Sequence, residues 1–435
     1  MMRTKTVVLV GSVLLAGIAC GEQSPTSVDP DLLPIRPTSI EVRLTWEEFG
    51  SNLEVFGGYG SPRELGSGVV AHAFGGVLEG RTLVRFLDLP TSATVTDTTG
   101  TSRSDTLLTL KGGRIVAFLD TLQSVAPGPV TLEIGALHQR WDAGSLSWAM
   151  AVDTAGDRVA WDEPGAGPVD RVATAVWDPA SGDSVVFALD SAQVEIWRDT
   201  SQVNQGAVLG MVSEGARLKV NNIAFRANVV PSVRPDTTVT LSAGREAFSF
   251  VYTPEPGAPT GSLRVGGAPA WRTVLDIDVP VRLTGPASLC AAAGCPVELT
   301  PTRVNYAALV LRGQRTEAAF QPSDSLPLDV RAVHQRSAMP KSPLGPTLVG
   351  PFGRNVAPGP FGDGEGTEVE IPITSFVRAI LEGDSVGGFP PSRSLALLSA
   401  FEPSSITFAS FFGPGTPGAP VLKLIVTAGR SVELP

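Results

Sequence analysis

The sequence predicts an all-β protein of β-sandwich type, with one domain plan used twice. Three observations predict it. Short apolar runs alternate with polar residues at period two, the spacing of a strand with one buried face. Glycine (47) and proline (37) punctuate those runs along 435 residues, as turns between short strands require. Finally, elements of the first half recur in the same order in the second half. Hydrophobic residues make up 43% and charged residues 17%, enough apolar surface to build cores in so long a chain.

The elements follow in order. "MMRTKTVVLVGSVLLAGIAC" opens with Arg3 and Lys5, continues with an apolar stretch from Val7 to about Leu15, and ends in small residues. That stretch is shorter than the roughly 20 residues a bilayer span needs, so residues 1–19 read as an export signal. Cys20 after Ala16-Gly17-Ile18-Ala19 resembles the lipobox of bacterial lipoproteins, with Gly17 where leucine is usual. The resemblance implies cleavage before Cys20 and lipidation of its thiol. It also implies a place in the bacterial envelope, as an outer-membrane or periplasmic lipoprotein held to the membrane through that lipid alone. Residues 20–38, polar and Pro-rich, read as a tether.

From Ser39 the grammar is that of strands. "SIEVRLTW" places Ile40, Val42, Leu44 and Trp46 on one face and Glu41, Arg43 and Thr45 on the other. "TLVRFLDLP", "GRIVAFLDTL", "PVTLEIGALHQ", "SVVFALDSAQVEIW" and "GARLKVNNIAF" repeat the pattern. Long amphipathic helices are not evident; "SAQVEIWRD" and "TSFVRAILEGD" are the best short ones. Pro231 and Pro235 flank a polar stretch that reads as a boundary. Beyond it the pattern restarts. Val130, Leu132, Ile134, Ala136 and His138 correspond at a constant offset of 196 to Leu326, Leu328, Val330, Ala332 and His334. Both series end in "HQR". "RTLVRFLDLP" likewise resembles "RTVLDIDVP". The expected organisation is two tandem domains, 39–230 and 231–435, with the first able to fold alone.

The net charge of −10 and the lack of Lys/Arg runs argue against nucleic acid and anionic membrane as partners. Cys290 and Cys295 lie in one short loop, where a disulfide, two buried thiols or half of a metal site are the alternatives. Six of the seven tryptophans precede residue 200. Trp141, Trp148 and Trp161 stand in Gly/Asp/Ser-rich sequence, where exposed rings could receive a sugar face; caps on the end of a sandwich are the alternative. Asp153, Asp157 and Asp162 form an acidic string that could hold calcium, the one cofactor the sequence suggests; a solvated loop is the alternative. His138 and His334 share a strand end but not their neighbours, which suits a structural imidazole bonded to a backbone carbonyl. H-E-x-x-H and G-x-x-x-x-G-K-[ST] are absent, and the expectation is a protein without enzymatic activity.

The residues from "RTLVRFLDLP" through "HQRWDAGSLSW", "VAWDEPGAG" and "VVFALDSAQVEIWRD" resemble the DNRLRE-type domains of bacterial surface proteins. Trp141, Asp142, Ser145, Trp148, Trp161, Pro164 and Gly165 carry the match; "IPITSFVRAILEGD", "SLALLSAF", "FASFFGP" and "APVLKLIVTA" carry it in the second half. The resemblance implies jelly-roll sandwiches of the carbohydrate-binding-module kind. It also implies a structural or interaction role in the envelope, with a polysaccharide or another envelope protein as partner.

Overall fold

A computed structural model describes residues 38–61, 66–198, 205–383, 391–403 and 405–428. Cys20 and residues 1–19, read above as an export signal, lie outside them. Strand β1 (Thr38–Leu44) leads through a one-turn helix α1 (Trp46–Phe49) to β2 (Gly50–Tyr59). The chain continues with β3 (Gly68–Phe74), β4 (Leu78–Phe86), β5 (Ala93–Thr96), β6 (Ser102–Asp105), β7 (Leu108–Val125) and β8 (Val130–Leu137). Then come β9 (Met150–Thr154), β10 (Asp157–Ala160), β11 (Val169–Trp177), β12 (Ser184–Leu189) and helix α2 (Ser191–Glu195). Strands β13 (Ala207–Met211), β14 (Ala216–Pro231), β15 (Val239–Ser242) and β16 (Arg245–Thr253) complete this stretch.

The remainder runs β17 (Ser262–Gly267), β18 (Ala270–Ile277), β19 (Arg282–Leu283), α3 (Ala287–Ala293), β20 (Val297–Glu298), β21 (Val304–Gln314) and β22 (Leu326–Val333). It closes with β23 (Leu344–Thr347), β24 (Arg354–Val356), β25 (Glu368–Pro372), α4 (Thr374–Glu382), β26 (Ser394–Ser399), β27 (Phe408–Phe412) and β28 (Val421–Ala428). The fold is all-β and sandwich-like. Helices α2 and α4 fall where the sequence places them, α1 and α3 were not expected, and Cys290 and Cys295 form a disulfide across the end of α3.

Two antiparallel systems organise the strands. One has the order β11-β8-β13-β4-β3-β14-β7-β12, with β15 along β14 and β16 along β4. The other contains β23-β22-β26-β18-β17-β27-β21, with β25 and β28 on β21, β1 on β28 and β2 on β18. Position by position the two orders correspond. The strands ending in "HQR", β8 and β22, occupy the same place. The consecutive strands β15 and β16 of the first system, on β14 and β4, have their counterparts in β1 and β2 of the second, on β28 and β18.

This corrects the expected boundary at residue 230. Val42 pairs with Leu424 and Leu53 with Leu275, so β1 and β2 belong with the C-terminal strands. The stretch after Pro231 is no linker, because β15 folds back on β14 and β16 pairs with β4. The first body, about 68–253, is therefore set into the second, which takes 38–59 and 262–428. Alternation reveals which face of a strand is buried, not which strand lies beside it.

Each body has its own core. Ile115, Ile134, Trp177, Phe187, Trp197 and Phe225 lie in the first; Phe49, Leu309, Val330, Phe361, Leu397 and Phe411 lie in the second. A third cluster joins them, with Val69, Leu78, Phe250 and Tyr252 from the first body and Ala268, Phe320, Ile406 and Phe408 from the second. Tyr252 donates its hydroxyl to Ala268 O at 2.7 Å. Phe320 sits edge-on to Tyr252 and stacked on Phe408, at centroid distances of 6.2 and 5.5 Å. Arg217 of β14 crosses the junction and donates to Ala319 O (2.8 Å) and Gln321 O (3.0 Å), with its guanidinium over Phe74.

The first described strand is clamped by charge. Arg43 of β1 and Arg312 of β21 both donate to Glu368 of β25, at 2.8 and 3.3 Å. The hydrogen bond from Arg43, with help from Arg312, holds the Glu368 carboxyl below its usual range despite an opposing desolvation. A carboxylate depressed in the folded state stabilises it above the unfolded pKa and loses that contribution as pH falls through the folded value. Amide exchange in β1 should therefore rise relative to β28 and β21 below about pH 4. In Glu368→Gln it should already be raised at pH 7 and should lose this pH response.

Candidate functional site

The excursion from His138 to Pro168 is where the sequence concentrates its aromatic and acidic residues. It leaves the sheet at the end of β8 and returns as β11, and between them β9 and β10 form a hairpin turning at Gly156. The excursion folds over the outer face of the first sheet as a lid. Trp141, Leu146, Ala151, Trp161 and Ala166 pack down on Leu83 of β4, Val208 of β13 and Val251 of β16.

Of the two readings left open for Trp141 and Trp161, this packing matches the cap on the sandwich rather than the exposed ring. Their relative exposures are 3% and 5%. The Trp141 indole N–H donates to Gln205 O at 2.8 Å and that of Trp161 to Ser147 O at 2.9 Å. Burying an indole requires such an acceptor for its one donor. Arg85 lies over the Trp141 ring and donates to its carbonyl.

Trp148 is half-buried. Its ring covers Gly165, whose φ of +84° favours glycine, and an added Cβ there would stand 2.6 Å from the ring. Arg81 lies over the same ring and donates to Gly165 O. Trp148→Ala should cost about 1–2 kcal/mol in chemical denaturation, below the cost of a fully buried aromatic.

The "HQR" tripeptide stitches the lid to the sheet. His138 is exposed, and its Nε2 lies 2.9 Å from Asp170 Oδ2. Gln139 donates to Ala160 O and accepts from the Asp162 N–H. Arg140 binds Asp157 at 2.9 Å. In the second body Arg336 instead reaches Asp276 and Glu54. The kept residues serve the same place in the sheet through different partners.

The acidic string does not converge. Asp153 pairs with Arg158 and Asp157 with Arg140, while Asp162 is exposed at the far end of the hairpin. Among the described residues no group of three or more His, Cys, Asp or Glu side chains could hold a metal ion. Asp153, Asp157 and Asp162 therefore do not aim their oxygens at one point, as a calcium site would require, and their placement follows the solvated-loop alternative.

Beside the lid lies a groove of about 380 Å³. Glu133 and Arg171 form an ion pair in it, Glu163 and Arg81 flank it, and Gly135, Gly167 and Gly210 line it. A second cavity, of about 460 Å³, opens where the two bodies meet; Phe352 and Phe401 lie on its lip. Sequence reading missed both rings, which stand singly beside turn residues rather than in a periodic run.

One serine-centred stretch, Gly383-Asp384-Ser385-Val386-Gly387, fits the spacing G-x-S-x-G. It follows helix α4, whereas a nucleophile elbow follows a strand and opens a helix. Ser385 lies outside the described residues.

No known family matches the chain at the level of a family model, and no curated protein matches it. Among solved structures, the C-terminal domain of the Streptococcus pyogenes antigen I/II-family protein AspA aligns at 9% identity. The alignment covers 80% of this chain and 92% of that one, with a TM-score of 0.14. The C-terminal domain of the Streptococcus agalactiae AgI/II polypeptide BspA aligns at 10% identity over 74% and 76%, with a TM-score of 0.11. Superpositions this poor carry no argument.

Proposed function

We propose that this chain is an exported bacterial envelope protein, lipid-anchored at Cys20, whose folded body is a non-catalytic structural and interaction module. On this reading residues 1–19 are the signal and residues 20–38 the tether. The bodies are two jelly-roll copies of the DNRLRE-like plan, one set inside the other; the matching strand orders support that duplication.

The observation that carries the reading is the junction between the bodies. Phe250, Tyr252, Phe320 and Phe408 fill it, and the Arg217 guanidinium is satisfied by two carbonyls within it. An apolar junction of this kind resists the relative motion that is the default for domains meeting through polar surfaces. A stiff body on a tether suits display and contact at a surface. The "HQR" residues and the lid tryptophans support the same reading, because their polar groups are spent on holding the fold.

The test is metabolic labelling with an alkyne-bearing palmitate in a bacterial host. The protein should take up label and partition with membranes, and Cys20→Ser should lose both. Unlabelled wild-type protein released into the soluble fraction would contradict the anchor.

A further inference from the structure

We infer that the cleft between the two bodies binds a neutral polysaccharide chain, with Phe352 and Phe401 as its platform. This rests on the proposed interaction role and supplies its ligand class. Phe352 and Phe401 are 72% and 53% exposed, although large apolar side chains in this protein are mostly buried. Their ring centroids lie 6.5 Å apart and the planes are inclined by 38°. Together they make an aromatic surface along the lip of the cavity of about 460 Å³, within the range of small-ligand sites.

The rings are held from below. Phe352 sits in a turn closed by the Gly353 N–H donating to Gly350 O. Gly353 has φ +69°, and a Cβ there would meet Leu328 O at 2.7 Å. Next to Phe401, Glu402 is buried, and its carboxylate accepts two hydrogen bonds from Arg272, at 2.6 and 2.8 Å. Neither exposed ring has to be ordered by a ligand, and ordering is a main cost of binding.

The rest of the lining selects the occupant. Gln123 and Lys219 come from the first body; Ser323, Asn355, Ser405 and Thr407 come from the second. Amides and hydroxyls both donate and accept, as sugar hydroxyls do. Lys219 is balanced by Asp120 at 3.5 Å and hydrogen-bonded to Gln123, and Asp324 adds a carboxylate to the same lining, so the site disfavours an anionic chain and leaves a neutral one as the fitting occupant. A flat ring facing the C–H side of a pyranose, beside neutral hydrogen-bonding groups, is the chemistry of sugar recognition. The first body contributes Gln123 and Lys219 only while the junction is closed, so the fixed junction also fixes the width of the cleft.

The experiment uses the full-length protein in detergent on an array of neutral glucan, xylan, mannan and chitin oligosaccharides, followed by calorimetric titration of the best binder. At least one should bind saturably. Phe352→Ala and Phe401→Ala should each weaken it about tenfold or more with an unchanged melting temperature, and Trp148→Ala should leave affinity intact. Three outcomes would overturn the inference: no saturable binding to any of these chains, binding that survives both phenylalanine changes, or binding abolished by Trp148→Ala alone. The result is independent of the palmitate label. A labelled protein that binds no glycan sinks this site and leaves the anchored module standing; an unlabelled protein that binds does the reverse.

Discussion

A fragment of residues 39–230 will not fold, whereas residues 66–254 will. The first fragment ends one residue short of the end of β14 and lacks β15 and β16. Strand β4 then loses the partner that pairs with it from Glu79 to Phe86. Phe248, Phe250, Val251 and Tyr252, all buried in the intact protein, are removed with it. At the other end, β1, α1 and β2 are present without the C-terminal strands they pair with, and Val42, Leu44 and Phe49 are bared. An unpaired strand edge beside apolar side chains is an aggregation site. Circular dichroism and size exclusion should show 39–230 unfolded or aggregated. The 66–254 fragment should be folded and cooperative, with a lower melting temperature than the intact chain because its junction face is bared. A folded, monomeric 39–230 would overturn the nested arrangement.

The second large effect is expected of Arg217→Ala. Arg217 is buried, and burial lowers its pKa to about 10, which leaves it charged at neutral pH. Its charge is offset by the carbonyls of Ala319 and Gln321 and by the Phe74 face. Truncation leaves those carbonyls without donors and opens a void under Phe74. The cost should be about 2–4 kcal/mol in chemical denaturation. Arg217→Lys should recover little, since a single ammonium on a shorter side chain does not reproduce the planar fork. A loss below about 0.5 kcal/mol, the range of ordinary surface substitutions, would show that the junction does not depend on this residue.

Much of the local structure was legible in the sequence. Val42 and Leu44, and Val130, Leu132 and Ile134, are buried on the faces that period two assigns them. The "SAQVE" helix starts at Asp190, which caps it by accepting from the Gln193 N–H. Partner choice was not legible, because β1 and β2 find their partners across an intervening body of nearly 200 residues. The lid tryptophans stayed open between exposed ring and buried cap for a chemical reason. Glycine, aspartate and serine around Trp141 and Trp161 suit an exposed loop, yet the acceptor for the Trp141 indole is Gln205, far along the chain. The role of Arg217 was not legible either: it stands on the polar side of "ARLKV", and nothing local shows that this side meets the second body. The inter-body cleft was illegible altogether, since Phe352, Phe401 and Lys219 come together only through the junction.

The central claim is that the two β-bodies form one unit, and differential scanning calorimetry of the intact protein tests it most directly. The predicted result is a single endotherm for the wild type that splits into two in Arg217→Ala, with the earlier transition moved down. Two well-separated endotherms in the wild type, unmoved by Arg217→Ala, would contradict it.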